Sequence, residues 1–309
     1  MMKSLPEQLN FLNSAKQPIL KREVQEFKRC IVLTGATSGI GYTSALELAS
    51  LKPHLILVAR NPEKASSVAK QCREAGASQV DVVIANLSLM SEVRDCAQNI
   101  LNLTSKIDVL IHNAGMHSTK RHLTREGLEE VFALNHCASF LLTHLLIEPL
   151  RQSDHAHVLM INSEGHRFNG LNLNDLNWKK RIYTGLRSYG ASKTAQLLSM
   201  IELNKRLEKT SIIVNAMHPG DVKTNIGQNN GLVYRLFSKF FILPNLKDPH
   251  TSSDAIATIV TNPTFSRVRN AFYHYTTLEV VAQHARDESK ALEVYNKTCE
   301  LCHIKPLEI

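Results

Sequence analysis

The chain has 309 residues, 43% hydrophobic and only 6% aromatic, with 36 Lys+Arg against 28 Asp+Glu for a formal net charge of +8. That supplies the apolar material for one large α/β domain. The positive charge is spread without a long basic block or an aromatic-interleaved stripe, which argues against nucleic acid and for a small phosphorylated ligand as the anionic partner.

In chain order, residues 1–29 read as an N-terminal extension and residues 30–309 as the folded domain. The extension lacks the continuous apolar core of a signal peptide. Six cysteines are too sparse for a disulfide scaffold and fit a reducing, cytoplasmic setting. Six short apolar runs follow: "CIVLTG", "LILVAR", "VDVVIANL", "IDVLIHNAG", "HVLMINS" and "IIVNAMHPG". Most are rich in Val and Ile and have the length of buried parallel strands. Between them lie helical patterns over 40–50, 62–75, 91–103, 125–150 and 189–208. The second carries Asn61 as N-cap, Pro62 in its first turn and Gly76 as C-cap. This alternation predicts an α/β fold with a single Rossmann-type doubly wound parallel sheet, flanked by helices on both faces.

The uncharged run from Val131 to Ile147 is slightly too short to span a bilayer and carries Asn135, His136 and His144, so it reads as a buried helix; no transmembrane segment is expected. After the sixth strand, "GQNNG" leads into the apolar amphipathic "LVYRLFSKFFIL", an insertion around residues 221–249. Beyond the carboxyl ends of the strands it would cover a substrate; a membrane contact, a subunit contact or simple core packing are the alternatives. The tail motif "CELCH", Cys299 to His303, has the spacing of a c-type haem attachment, but that chemistry expects export, and a surface-helix pair of thiols is the preferred reading. No metal site is expected.

"TGATSGIG", Thr34 to Gly41, joins the first strand to the first helix. Gly35, Gly39 and Gly41 let the backbone turn and approach a pyrophosphate, which Thr37, Ser38 and Ile40 would help to line at the helix N-terminus. The second strand ends at Arg60, where the adenosine ribose of a dinucleotide should lie. A guanidinium there binds a 2′-phosphate and favours NADP(H), with Lys64 one turn on as a second cation.

Taken with "HNAG" at 112–115, Asn135 in "FALNH", Ser163 in "MINSEGH", "YGASK" at 189–193 and "HPGDVKT" at 218–224, the chain over roughly residues 30–305 resembles the short-chain dehydrogenase/reductase family, and within it the retinol dehydrogenase-like group. The resemblance implies a catalytic set of Asn135, Ser163, Tyr189 and Lys193. Tyr189 would exchange a proton with the carbonyl oxygen and Ser163 would hold that oxygen. Lys193 would bind the nicotinamide ribose and bias the tyrosine, and Asn135 would support a water leading to the lysine. It further implies that Asn113, Ala114 and Gly115 line the adenosine side, that Asn86 and Leu87 stand where Asp-Leu usually contacts adenine, and that Pro219, Gly220, Val222 and Thr224 attend the nicotinamide and phosphates. His112 replaces the first Asn of the usual Asn-Asn-Ala-Gly. The expected substrate is a small apolar carbonyl or alcohol, retinol-like, aldehyde, ketone or steroid. A homodimer is implied through the helices at 125–150 and 189–208. A catalytically silent NADP(H)-sensing protein of the same fold is the alternative, against which the intact catalytic set speaks.

The chemistry explains the spacing. A tyrosine titrating near ~10 must fall about three units to act as a base near neutrality. A lysine charge about 6 Å away at an effective dielectric of about 20 supplies roughly 2.8 kcal/mol, or about two units.

Overall fold

The computed structural model describes residues 19, 20, 22, 26–220 and 249–308. Eight strands form one sheet in the order β3-β2-β1-β4-β5-β6-β7-β8. They are β1 (Cys30–Thr34), β2 (His54–Ala59), β3 (Gln79–Ile84), β4 (Val109–His112), β5 (Ala156–Ile161), β6 (Ile212–His218), β7 (Phe272–His274) and β8 (Thr277–Leu278). All neighbours run parallel except β7 and β8. The six apolar runs are the first six strands. Central strands β1, β4, β5 and β6 are buried along their whole length, because a parallel sheet covered on both faces offers no solvent-facing position.

The helices are α1 (Gly39–Ala49), α2 (Pro62–Glu74), α3 (Met90–Leu103), α4 (Glu130–Phe132), α5 (Ala138–Leu145), α6 (Ile147–Arg151), α7 (Gly185–Arg206), α8 (Pro249–Thr261) and α9 (Glu288–Leu301). Alternate residues of β1 enter different cores. Ile31 and Leu33 join α1, α2 and α8 on one face, while Cys30 and Val32 join α3, α5, α7 and α9 on the other. That is the pleat's period of two, seen from a doubly covered sheet.

The pattern at 125–150 is not one helix. Residues Leu123 and Glu129 form an isolated antiparallel bridge, and Glu129 caps α4 with its carboxylate. A π-helical turn, Ala133–Cys137, separates α4 from α5. Leu146 then leaves helical geometry before α6. The predicted burial of this stretch holds, with Val131, Phe132, Phe140, Leu141 and Leu142 all in the core. Asn61 caps α2 as expected, its side chain accepting from Lys64 N at 2.7 Å. The cap residue at the far end is Ala75, with Gly76 just beyond it at φ +114°.

Cys299 and Cys302 are not a surface pair: they are 3% and 1% exposed, at the end of α9, packed in the core with Cys137. Cys302, the C-cap of α9, sets its thiol against Cys137 O at 3.8 Å. Residues 1–18, most of the N-terminal extension, and 221–248, nearly all of the expected insertion, lie outside the described residues; Pro249 begins α8. Among the described residues no helix is long and apolar enough to cross a membrane.

Candidate active site

The carboxyl ends of β1, β2, β4, β5 and β6 bring the predicted residues to one edge of the sheet. At the end of β1, Gly35 has φ +70° and Gly39 φ +52°, conformations that a side chain would strain. Gly41 is required by space instead, because a Cβ there would lie 2.1 Å from Gly35 O. Ser38 is the N-cap of α1 but makes no side-chain cap bond. The first-turn N–H groups therefore keep their capacity for an anion, with the exposed Ser38 and half-buried Thr37 beside them and Ile40 buried beneath.

Asn113 holds this loop. Its Nδ2 donates to Thr34 O at 3.0 Å and Gly35 O at 3.1 Å, and its N–H and that of Ala114 donate to Thr34 Oγ1. The amide is thereby committed to shaping the glycine turn, and Ala114 and Gly115 follow it along the edge of the site. His112, where the family pattern has Asn, is buried and paired at 2.8 Å with Thr143 Oγ1. Desolvation lowers its pKa to about 3, so it is a neutral core group.

Arg60, at the end of β2, and Lys64, in α2, are both exposed, and neither side chain has a hydrogen-bond or ion-pair partner among the described residues. Asn86 is half-buried, and its Oδ1 already accepts from Ser88 N at 3.3 Å and Ser88 Oγ at 2.9 Å. Both lone pairs are spent on the turn, so Asn86 offers a ligand only its Nδ2 donor. Leu87 is buried next to it.

Ser163, Tyr189 and Lys193 meet beyond β5. Ser163 caps the 3-10 turn Glu164–Phe168, its Oγ accepting from Gly165 N at 3.0 Å, so its own proton is left for another oxygen. The Tyr189 ring lies against Gly165, where a Cβ would come within 2.7 Å of two ring carbons. Burial raises the Tyr189 pKa to about 12, and a hydrogen bond with Ser163 opposes the rise. Lys193 is 4% exposed; its Nζ donates to Ile161 O at 2.7 Å and sits 5.6 Å from the centre of the Tyr189 ring. Desolvation lowers its pKa to about 7.

Without a dinucleotide, burial opposes both the phenolate and the ammonium, so the Lys193 charge alone does not acidify the phenol. In the protein alone, the phenol is the stable form.

Asn135 lies in the π-turn, 1% exposed. Its Oδ1 accepts from Met116 N at 2.8 Å, and its Nδ2 donates to Met116 O and Ser192 Oγ at 3.0 Å each. The side chain thus ties the strand-end loop after Gly115 to α7; both Nδ2 protons are used, and Oδ1 keeps one lone pair. Pro219 is buried, its O accepting from Ser252 Oγ. Gly220 has φ +76° and no room for a Cβ, which would meet the Tyr275 hydroxyl at 2.0 Å. Val222 and Thr224 lie outside the described residues.

Several residues escaped the sequence reading. His166 Nδ1 pairs with Ser163 O at 2.8 Å, and its Nε2 accepts from Ala282 N at 3.1 Å, which fixes a neutral imidazole that braces Ser163. Asn162 Oδ1 accepts from Ser163 N at 2.8 Å, while its Nδ2 donates to Lys193 O and Gln196 Oε1. His117 packs edge-on against Tyr189 at 5.7 Å between centroids. Only His166 carried a local signal, standing three residues after Ser163 in "SEGH".

The short chain dehydrogenase family profile matches residues 29–232, and the chain belongs to this family. It is 30% identical to human retinol dehydrogenase 13 over 280 residues, 88% of this chain and 84% of that protein. It is 33% identical to mouse retinol dehydrogenase 12 over 281 residues, 90% of this chain and 87% of that one. Among solved structures, an uncharacterized protein from Mycobacterium paratuberculosis superposes with a TM-score of 0.72 at 28% identity, covering 92% of this chain and 98% of that one. A short chain dehydrogenase from Shigella flexneri, complexed with NADP, shares the fold at 23% identity and a TM-score of 0.62, covering 82% of this chain and 99% of its own. The protein is a short-chain dehydrogenase/reductase oxidoreductase, retinol dehydrogenase-like in its curated relatives.

Proposed function

We propose that the protein transfers a hydride between NADP(H) and an apolar carbonyl or alcohol, with Tyr189 as the proton carrier. The observation that carries this reading is the convergence of Ser163, Tyr189 and Lys193 beyond β5, beside a glycine turn whose helix N-terminus is uncapped by any side chain. The residues present fit a dinucleotide: the open N–H groups of α1 suit the pyrophosphate, and Arg60, exposed and without an ion-pair partner among the described residues, suits a 2′-phosphate. When bound, the nicotinamide supplies or accepts the hydride.

The protein's part is to hold oxygen and move a proton. Ser163, with its lone pair engaged by Gly165 N, donates to the substrate oxygen. Tyr189, protonated at neutral pH, donates its proton to the same oxygen as carbon is reduced. Lys193, fixed by Ile161 O, stands behind the ring to stabilise the phenolate that results. The apolar substrate is supported by the retinol dehydrogenase names of the curated relatives.

A panel of apolar aldehydes, ketones and retinoids, followed by the absorbance of NADPH and of NADH, tests the reading. Turnover should prefer NADPH, and Arg60→Asp should reverse that preference by at least about tenfold through loss of charge-assisted phosphate contacts. Equal use of the two dinucleotides by the unmodified protein would contradict the role of Arg60. NADPH binding without turnover of any substrate would favour a sensor.

A further inference from the structure

Glu129 is 1% exposed and has no cationic side chain paired with it among the described residues. Its charge is met entirely by hydrogen-bond donors. Oε1 accepts from Val131 N at 3.1 Å and lies 3.2 Å from the Tyr183 hydroxyl, whose one proton it shares with Ser118 O, also at 3.2 Å; Oε2 accepts from Phe132 N at 2.9 Å and from Ser188 Oγ at 3.1 Å. Two of these donors are the second and third N–H groups of α4, which any capping side chain could serve. The other two come from the far side of the site. Tyr183 belongs to the loop before α7, and Ser188 immediately precedes Tyr189. The main chain adds to the junction, with Glu129 N donating to Asn177 Oδ1 at 2.8 Å and Ala133 N donating to Glu129 O at 2.8 Å.

One carboxylate therefore clamps two elements. One is the segment α4 plus π-turn that carries Asn135; the other is the first turn of α7 that carries Tyr189. We propose that Glu129 is the positioning residue that holds Tyr189 in register with Asn135 and Ser163, an inference that rests on Tyr189 being the proton carrier. A simple helix cap accounts for the bonds to Val131 N and Phe132 N but not for those to Tyr183 and Ser188, which come from the other element. Burial raises the carboxyl's pKa, and the hydrogen bonds oppose the rise.

Glutamine cannot replace it. Each carboxylate oxygen bonds one α4 N–H and one hydroxyl from the α7 side, so an amide oxygen keeps only one such pair. The amide N–H₂ faces the other backbone N–H, which cannot turn away as a hydroxyl can, and the junction is left half-bonded. Tyr189 does not touch Glu129, so the effect reaches the reacting oxygen only through the seating of α7.

The experiment compares Glu129→Gln, the double variant Tyr183→Phe with Ser188→Ala, and Tyr189→Phe, each assayed for turnover, substrate KM, NADPH affinity and thermal midpoint. The double variant leaves the backbone cap of α4 intact, so it separates clamping from capping even if Glu129→Gln does not fold. It should lose at least about tenfold in kcat, with substrate KM and NADPH affinity within about threefold of wild type, since misplacing a reacting group costs rate more than binding. Adding Glu129→Gln to the double variant should lower kcat little further, because the bonds to the α7 side are already gone and only a cap bond of α4 is left to lose. Wild-type kcat in the folded double variant would overturn the proposal. So would a fall in kcat matched by equal falls in NADPH affinity and thermal midpoint, which marks a merely structural role. If Tyr189→Phe is inactive while the double variant is unimpaired, only the role of Glu129 fails; if Tyr189→Phe keeps its turnover, the underlying mechanism fails with it.

Discussion

A buried lysine costs a folded protein stability as long as it is charged, and Lys193 shows the sign plainly. Its pKa falls from the ordinary 10.5 to about 7 on folding because its ammonium is desolvated. Below about pH 7 the group is charged in both states, and the cost of burying that charge is fully present. Between 7 and 10.5 the unfolded chain binds more protons, so stability rises with pH across this window. Lys193→Met, which fills the same space without charge, should raise the thermal midpoint at pH 7 and abolish turnover, and its advantage over wild type should shrink as pH rises to 10. Thermal melts across that range check this; a difference between the two proteins that does not change with pH would contradict it. The residue was legible in "YGASK", but its environment was not. The motif places a lysine one helical turn from a tyrosine, whereas the Ile161 carbonyl that fixes it comes from 32 residues away.

At the level of elements, the strands were legible because each is a short, almost wholly apolar run that a sheet covered on both faces demands. Strands β7 and β8, of 3 and 2 residues, carry no period to read. Helix α7 begins at Gly185 instead of Tyr189 because Thr184 caps it, its side chain accepting from Arg187 N at 3.3 Å. The break at the π-turn was hidden because Ala133–Cys137 contains no Gly or Pro and its polar Asn135 and His136 are read equally well inside a buried helix. It emerges only from contacts such as Gln196 Nε2 donating to Asn135 O at 3.2 Å. The Glu129 clamp was equally hidden, since Tyr183 and Ser188 stand 54 and 59 residues away in the chain. The 3-10 turn after β5 makes a prediction of its own. Gly165→Ala puts a methyl against the Tyr189 ring, whose nearest carbons would be 2.7 Å away. The ring must shift, at about 1–3 kcal/mol of overpacking, and kcat should fall at least about tenfold while NADPH affinity, set at the other end of the site, changes little. Unchanged kcat in Gly165→Ala would show that the ring position seen here does not govern the chemistry.

Across the whole molecule, the strand order places the glycine turn after β1 next to the residues after β4 and β5, where open α/β sheets bind ligands. Two cores, one on each face, fix that edge rigidly. The catalytic proposal adds one phenol to this frame, protonated at rest and positioned by a glycine, a serine and a neighbouring helix. The most direct test is the turnover of Tyr189→Phe with NADPH and the best carbonyl of the panel, alongside an NADPH titration of the same protein. Loss of the proton carrier should cut kcat by about 10²–10⁴-fold, with dinucleotide affinity within about threefold of wild type. Turnover near the wild-type rate at neutral pH, in a protein that still binds NADPH, would contradict the account.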